Sequence, residues 1–194
     1  MKARLESLAG LVLLSFAATS GPWAQTAAKG DTSMEANRLV EGMKAPDFTA
    51  DSTEGTKISL SDYKGKIVVL YFYPKDDTPG CTKEACSFRD TESQLQRLGA
   101  QVLGVSMDSV QSHDKFRKKY LLNFPLVSDP DGKIVTAYGA WKDDSLFGKT
   151  ALGLSRSTFL IDQDGVVRKV WRGVKVEGHD QEVLDFIKKN LMKG

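Results

Sequence analysis

The two residues best suited to nucleophilic chemistry in this chain are Cys81 and Cys86, the only cysteines in its 194 residues. Cysteine reacts as the thiolate, and a free thiol with a pKa near 8.5 is only about 3 % ionised at neutral pH. Lowering such a pKa to about 6 raises the thiolate fraction roughly thirtyfold. That shift is worth about 3.4 kcal/mol, whereas a helix N-terminus supplies at most about 2 kcal/mol in a favourable, partly buried setting. A reactive cysteine therefore needs a helix start beneath it and a second positive group, an arginine brought in from elsewhere in the fold.

The residues around Cys81 supply the first requirement. Ile67-Val-Val-Leu-Tyr-Phe-Tyr73 is apolar on both faces, rich in β-formers and too short for a helix, so it reads as a central buried strand. Pro74-Lys-Asp-Asp-Thr-Pro-Gly80 is dense in turn residues. From Cys81 the chain carries helix formers as far as Leu98, and Gly99 offers a C-cap. Cys81 is thus expected at a helix N-terminus beyond the carboxyl end of a strand, the crevice where open α/β sheets place their ligand sites.

The rest of the chain reads as one domain. With 41 % hydrophobic and 27 % charged residues and a net charge of +2, it has enough apolar material for one core. It lacks a basic stripe with interleaved aromatics, which argues against nucleic-acid binding. Lys2 and Arg4 followed by the apolar run Leu8–Ala18 and Gly21-Pro-Trp-Ala24 have the layout of a secretory signal peptide over 1–24, cleaved after Ala24, with 25–38 as a flexible leader and 39–194 as the domain. Removing Lys2, Arg4 and Glu6 changes the net charge from +2 to +1. Export makes the destination periplasmic or secreted, with no stable membrane association after cleavage.

The domain's order of elements follows from periodicity and turns. An extended stretch Gly42–Phe48, the turn Ser52–Gly55 and Lys57–Leu60 suggest an N-terminal hairpin. Gln101–Met107 reads as a second buried strand and Ser112–Tyr120 as a helix capped by Ser112. The strand, helix and parallel strand make a βαβ unit of an α/β layer fold. Leu126–Ser128 is a short strand and Lys133–Tyr138 a short helix, followed by a long connection, Gly139–Ser155, of a kind that often borders a site. Thr158–Asp162 and Val166–Trp171 form a hairpin on an Asp-Gly turn. Asp180 caps a last helix with Val183, Leu184, Ile187 and Leu191 on one face.

Pro74-x-x-x-Thr78-x-x-Cys81, set within Tyr71-Phe-Tyr-Pro-Lys-Asp-Asp-Thr-Pro-Gly-Cys-Thr-Lys-Glu-Ala-Cys-Ser-Phe-Arg-Asp90, resembles the active-site signature of peroxiredoxins. More narrowly, it is similar to the bacterioferritin comigratory protein, or peroxiredoxin Q, subfamily. The resemblance extends from about Gly42 to the C-terminus and includes Arg156-Ser-Thr-Phe-Leu-Ile-Asp162. It implies a thioredoxin-like α/β fold, with a central mixed sheet flanked by helices and an N-terminal β-hairpin extension. It also implies a thiol peroxidase acting on hydroperoxides and recycled by a thioredoxin-like protein; a monomer that uses no cofactor or metal is expected. In that family pattern Cys81 is the peroxidatic nucleophile and Cys86 the resolving partner. Thr78 hydrogen-bonds the peroxide, Pro74 shields the thiolate, Arg156 holds both, and Glu84 orients the arginine. The secretory leader is the departure from the subfamily's pattern.

Plainer readings exist for each residue. The cysteines could form a structural disulfide, although closing so short a loop stabilises by only about 2 kcal/mol. Thr78 could be only a helix cap, Arg156 could pair with a surface acid such as Asp162, and His113 and His179 read as exposed helix-start residues. Two rival functions remain. A thioredoxin-like disulfide reductase would use Cys-x-x-Cys, and a copper metallochaperone would need two close thiolates with a histidine.

Overall fold

A computed structural model describes residues 38–141 and 153–192. The readings of a signal peptide, of a leader and of the middle of the Gly139–Ser155 connection, Phe147 included, lie outside the described residues.

The centre is β3 (Ile67–Phe72), every residue of which is buried. It follows β1 (Thr49–Asp51) and β2 (Lys57–Ser59), which pair antiparallel as the expected hairpin, one element later than the Gly42–Phe48 stretch. After β3 come α1 (Pro79–Arg97), β4 (Ala100–Ser106), α2 (Val110–Tyr120), β5 (Leu126–Ser128) and α3 (Lys133–Ala137). Then β6 (Ser157–Ile161) and β7 (Val167–Arg172) form the second hairpin, and α4 (His179–Asn190) closes the described chain. The five-stranded sheet has the order β5-β4-β3-β6-β7. β3, β4 and β5 run parallel, while β6 is antiparallel to both β3 and β7. This is the α/β, thioredoxin-like arrangement that the sequence suggests.

The pleat of β3 explains why its apolar run is continuous. Ile67, Val69, Tyr71 and Tyr73 join one core cluster with Ala85, Phe88 and Leu95 of α1, Phe116 of α2, and Val183, Leu184 and Ile187 of α4. Val68, Leu70 and Phe72 face the other cluster, with Leu60, Ile134, Val135, Tyr138 and Phe159. A strand covered on both sides leaves no position for a polar residue. In α1 the buried residues Cys81, Glu84, Ala85, Phe88, Thr91, Glu92 and Leu95 recur at three- and four-residue spacing, so one stripe of the helix lies on the sheet. Gly99, just past its C-cap, takes φ +72°, a left-handed conformation that glycine adopts without strain.

Several expectations are corrected. The N-cap of α2 is Ser109, whose side chain accepts the Ser112 N–H at 3.3 Å, because the Ser112 hydroxyl donates instead to Asp76 at 2.7 Å. Asp180 sits inside the first turn of α4, whose N-cap is Gly178 at φ +74°. The Asp180 carboxylate accepts a hydrogen bond from Thr91 of α1 at 2.6 Å and so ties the two helices together. Neither histidine is exposed: His113 is fully buried and His179 is 3 % exposed. Both start a turn whose inner face meets the sheet. His113 Nε2 lies 3.1 Å from the Val127 carbonyl of β5, and His179 Nε2 lies 2.8 Å from the Thr158 hydroxyl of β6.

Candidate active site

The site forms where β3 ends and β6 begins. Phe72 pairs with Ser157, so the residue before β6, Arg156, arrives beside the chain leaving β3. That chain runs through Pro74 to Thr78 and enters α1 with Pro79 at the first helical position, where a missing N–H costs nothing. Thr82 N–H closes the helical ladder onto the Thr78 carbonyl at 2.8 Å, which leaves the Gly80 and Cys81 amides ahead of it without intrahelical acceptors. Cys81 is therefore in the first turn of the helix, as its sequence setting suggests, and it is 2 % exposed.

Arg156 supplies the second positive group. Its Nη2 donates to Cys81 Sγ at 3.3 Å, and its Nη1 forms an ion pair with Glu84 Oε2. Glu84 is 1 % exposed, and its other oxygen, Oε1, has no hydrogen-bond partner among the described residues. Burial pushes the Glu84 carboxyl up to about 7 against the pull of Arg156. Asp162, the surface acid considered for Arg156, is taken instead by Arg168 Nε at 2.5 Å and by the Asp164 and Val166 amides of its own turn.

Thr78 occupies the N-cap position, but its side chain does not cap the helix. Its hydroxyl donates to the Lys75 carbonyl at 3.0 Å, which commits the proton and leaves the oxygen free to accept. Pro74 is exposed at the rim. Cys86 is half-buried farther along α1, and both thiols are free, so a standing structural disulfide is not what this structure holds.

The loop is anchored from beneath by residues to which the sequence reading gave another role or none. Asp76 accepts from Tyr73 Oη at 2.8 Å and from Ser112 Oγ at 2.7 Å, and it lies 2.9 Å from His113 Nδ1. Burial alone would raise its carboxyl; the bonds from His113, Ser112 and Tyr73 outweigh that and hold it below the ordinary range. Both ring nitrogens of His113 face oxygen atoms, the Asp76 carboxylate on one side and the Val127 carbonyl on the other. Next to it Asp77 takes φ +56°, unusual for a residue with a side chain, and is held there by Lys119 Nζ at 2.7 Å and Tyr120 Oη at 2.5 Å. The signal for the buried histidines was present. His113, Phe116 and Tyr120 share one helical face, as do His179, Val183 and Ile187.

A nucleophile at a helix start, a guanidinium on its sulfur and free amides around it can attack an electrophilic oxygen and stabilise the charge displaced from it. Neither histidine nitrogen is directed at a cysteine, which removes the donor set that a copper site would need. Residues 42–170 match the model of the AhpC/TSA family. A peroxiredoxin Bcp of Bacillus subtilis is 50 % identical over 147 residues, covering 76 % of this chain and 94 % of its own. Among solved structures, Xanthomonas campestris peroxiredoxin Q superposes with a TM-score of 0.71 at 43 % identity, covering 74 % of this chain and 90 % of its own. A cysteine-to-serine variant of Xylella fastidiosa PrxQ superposes with a TM-score of 0.74 at 39 % identity, covering 79 % and 98 %. The motif read from the residues, the sheet order and these matches agree, and the chain belongs to the AhpC/TSA family, among the peroxiredoxins of the bacterioferritin comigratory protein or peroxiredoxin Q subfamily.

Proposed function

We propose that this protein is a thiol peroxidase that reduces hydrogen peroxide and organic hydroperoxides to water and alcohols, with Cys81 as the peroxidatic and Cys86 as the resolving cysteine. The observation that carries the reading is the Arg156 guanidinium 3.3 Å from a buried Cys81 sulfur in the first turn of a helix. Supporting the substrate class, the Xanthomonas campestris bacterioferritin comigratory protein, 43 % identical, is described by its alkyl peroxide reduction activity.

The chemistry follows from the donors in place. The Cys81 thiolate attacks the terminal oxygen of the peroxide, an S–O bond forms, the O–O bond breaks, and the electron pair leaves with the departing oxygen. Thr78 Oγ accepts the peroxide hydroxyl, since its own proton is given to Lys75. Arg156 and the Gly80 and Cys81 amides stabilise the charge on the leaving oxygen. Pro74 shields the rim, and Glu84 fixes the guanidinium. The Cys81 sulfenic acid then condenses with the Cys86 thiol, releasing water and forming a disulfide. A thioredoxin-like dithiol protein reduces that disulfide by exchange. The enzyme acts as a monomer, and the leader directs it to the periplasm or outside the cell.

The test is a turnover assay on residues 25–194 with hydrogen peroxide, an alkyl hydroperoxide and several dithiol donors. Cys81→Ser should abolish peroxide reduction. Cys86→Ser should complete one turnover and leave a sulfenic acid on Cys81 that dimedone labels. Equal loss of the first turnover in both variants would overturn the assignment, and disulfide reduction without peroxide consumption would point to the exported reductase instead. N-terminal sequencing of the exported protein tests cleavage after Ala24.

A further inference from the structure

Among the described residues, Cys81 and Glu84, two groups able to carry a negative charge, share one fixed positive charge, that of Arg156. Arg156 presents Nη2 to Cys81 Sγ and Nη1 to Glu84 Oε2. Cys81 is 2 % exposed and Glu84 1 %, and the two are three residues apart on one helix, a spacing that puts their Cβ atoms about 5–6 Å apart. A second buried anion there would have no counter-ion of its own. Two acids that close, out of water, do not both ionise freely, and their protons come off in coupled steps.

Among the described residues, nothing else facing the pair supplies the missing charge. Tyr71 of β3 is fully buried with its hydroxyl unpaired, and burial keeps it a neutral phenol. Asp76, before α1, is committed to His113, Ser112 and Tyr73. His179 of α4 donates to or accepts from Thr158, and burial lowers its affinity for a second proton. Lys83, the nearest cation on α1 itself, is exposed and paired with Glu177 at 2.6 Å.

We propose that Cys81 and Glu84 share one proton across Arg156, and that the reactive state is the one in which Glu84 holds it and Cys81 is the thiolate. Oε2 is engaged by the guanidinium, so the proton sits on Oε1, the oxygen with no other partner among the described residues. In this state the whole charge of Arg156 serves the sulfur. The last step rests on the peroxidase reading. When the thiolate attacks a hydroperoxide, the S–O bond forms, the O–O bond breaks, and the departing alkoxide takes up one proton to leave as alcohol. The alkoxide takes that proton from the surrounding water, and Glu84, no longer beside a thiolate, releases its own to solvent and becomes the anion paired with Arg156, so the net proton count balances. Cys81 thiolate and protonated Glu84 thus become Cys81 sulfenic acid and Glu84 carboxylate, and the guanidinium faces one anion before and after. Glu84 is a positioning and proton-holding residue that acts through Arg156.

The first experiment needs no peroxide. Infrared difference spectra of the reduced wild-type protein before and after alkylation of Cys81 with iodoacetamide should show loss of the C=O stretch of a protonated carboxylic acid, absent from the same difference in Glu84→Gln. An unchanged carboxylic acid band in the wild type overturns the proposal, whether or not the variant folds. The second follows alkylation at Cys81, resolved by peptide mass, against pH. Glu84→Gln mimics the protonated acid, so it should react several-fold faster than wild type near pH 6, in a single step, and converge with it at high pH. A variant slower than wild type at every pH would show that Glu84 only orients Arg156. Absence of peroxide consumption by the wild-type protein, with both of these results intact, would instead defeat the peroxidase reading.

Discussion

Arg156 is shared between two acids, and its worth to Cys81 can be bounded. A helix end gives at most about 2 kcal/mol to an anion in its first turn, and a hydrogen bond from the guanidinium to a charged sulfur adds about 1.5–3 kcal/mol. Arg156→Ala is therefore expected to slow alkylation of Cys81 at neutral pH by about tenfold or more. Arg156→Lys should recover only part of it, because a point charge cannot reach Cys81 and Glu84 together as the two Nη atoms do. An alkylation rate unchanged in Arg156→Ala would place the charge partner elsewhere. The need for a second cation was legible from Cys81 alone, and the choice of Arg156 came from the resemblance rather than from periodicity. The inward face of α2 was legible in the His113, Phe116 and Tyr120 spacing, but the carboxylate that its polar residues meet was not. Ser112-His-Asp-Lys115 has the composition of a solvated face, and the packing of α2 against β5 and the loop turns Ser112 and His113 onto Asp76. Removing His113 would leave that carboxylate buried without its partner. His113→Ala is expected to cost about 3 kcal/mol or more by denaturant unfolding, and Asp76→Asn in the same background should recover part of the loss. Additive losses would show that the two residues are not coupled.

At the scale of an element, α1 carries both cysteines, and this sets a geometric problem. Five residues along a helix separate Cα atoms by roughly 8.6 Å, against the 4.4–6.8 Å, approximately, that a disulfide spans. Cys86 reaches Cys81 only if the first turns unwind. The structure also indicates where unwinding stops. Phe88 is fully buried with its ring centroid 5.0 Å from that of Tyr71, Arg89 Nη1 donates to the Tyr120 carbonyl at 2.7 Å, and Thr91 bonds Asp180 at 2.6 Å. Before Phe88 the polar side-chain anchors of α1 are fewer: Arg156 holds Cys81 and Glu84, and the exposed Lys83 holds Glu177. Oxidation removes the thiolate that Arg156 binds. Hydrogen exchange is therefore expected to rise across Cys81–Ser87 on oxidation, while Phe88–Arg97 and β3 stay protected. Equal protection of Cys81–Ser87 in both redox states would refute the opening. The two hairpins, the βαβ unit and the helix start were readable because turn residues and apolar periodicity act locally. The caps of α2 and α4 were misplaced by a few residues because the competing partners, Asp76 for Ser112 and Thr91 for Asp180, lie far away in sequence.

For the whole molecule, the buried titratable groups make stability depend on pH in opposite senses. The native state holds the Glu84 proton up to about 7, whereas a free glutamate releases it at 4.5. Between those values the folded protein binds more protons than the unfolded chain, so Glu84 makes stability fall as pH rises through the window, by on the order of 3 kcal/mol across it. His179 acts the other way. Burial lowers its proton affinity below the ordinary 6.5, so the unfolded chain binds the extra proton first and stability is lost as pH falls below that value. Just below pH 6.5 the two slopes oppose each other, so urea-derived stability of the reduced protein should change less with pH there than either group alone would make it. Glu84→Gln removes that residue's share of the descending slope and leaves those of Glu92 and Asp129, which burial also raises, so stability should fall less steeply than in wild type as pH rises toward 7. His179→Gln removes the ascending one, and stability should decline from pH 5 to 7 even if the variant is less stable throughout, because the slope rather than the height is the readout. The same slope in wild type and Glu84→Gln would mean that the carboxyl titrates as it does in water. Its burial beside Arg156 would then not govern the proton.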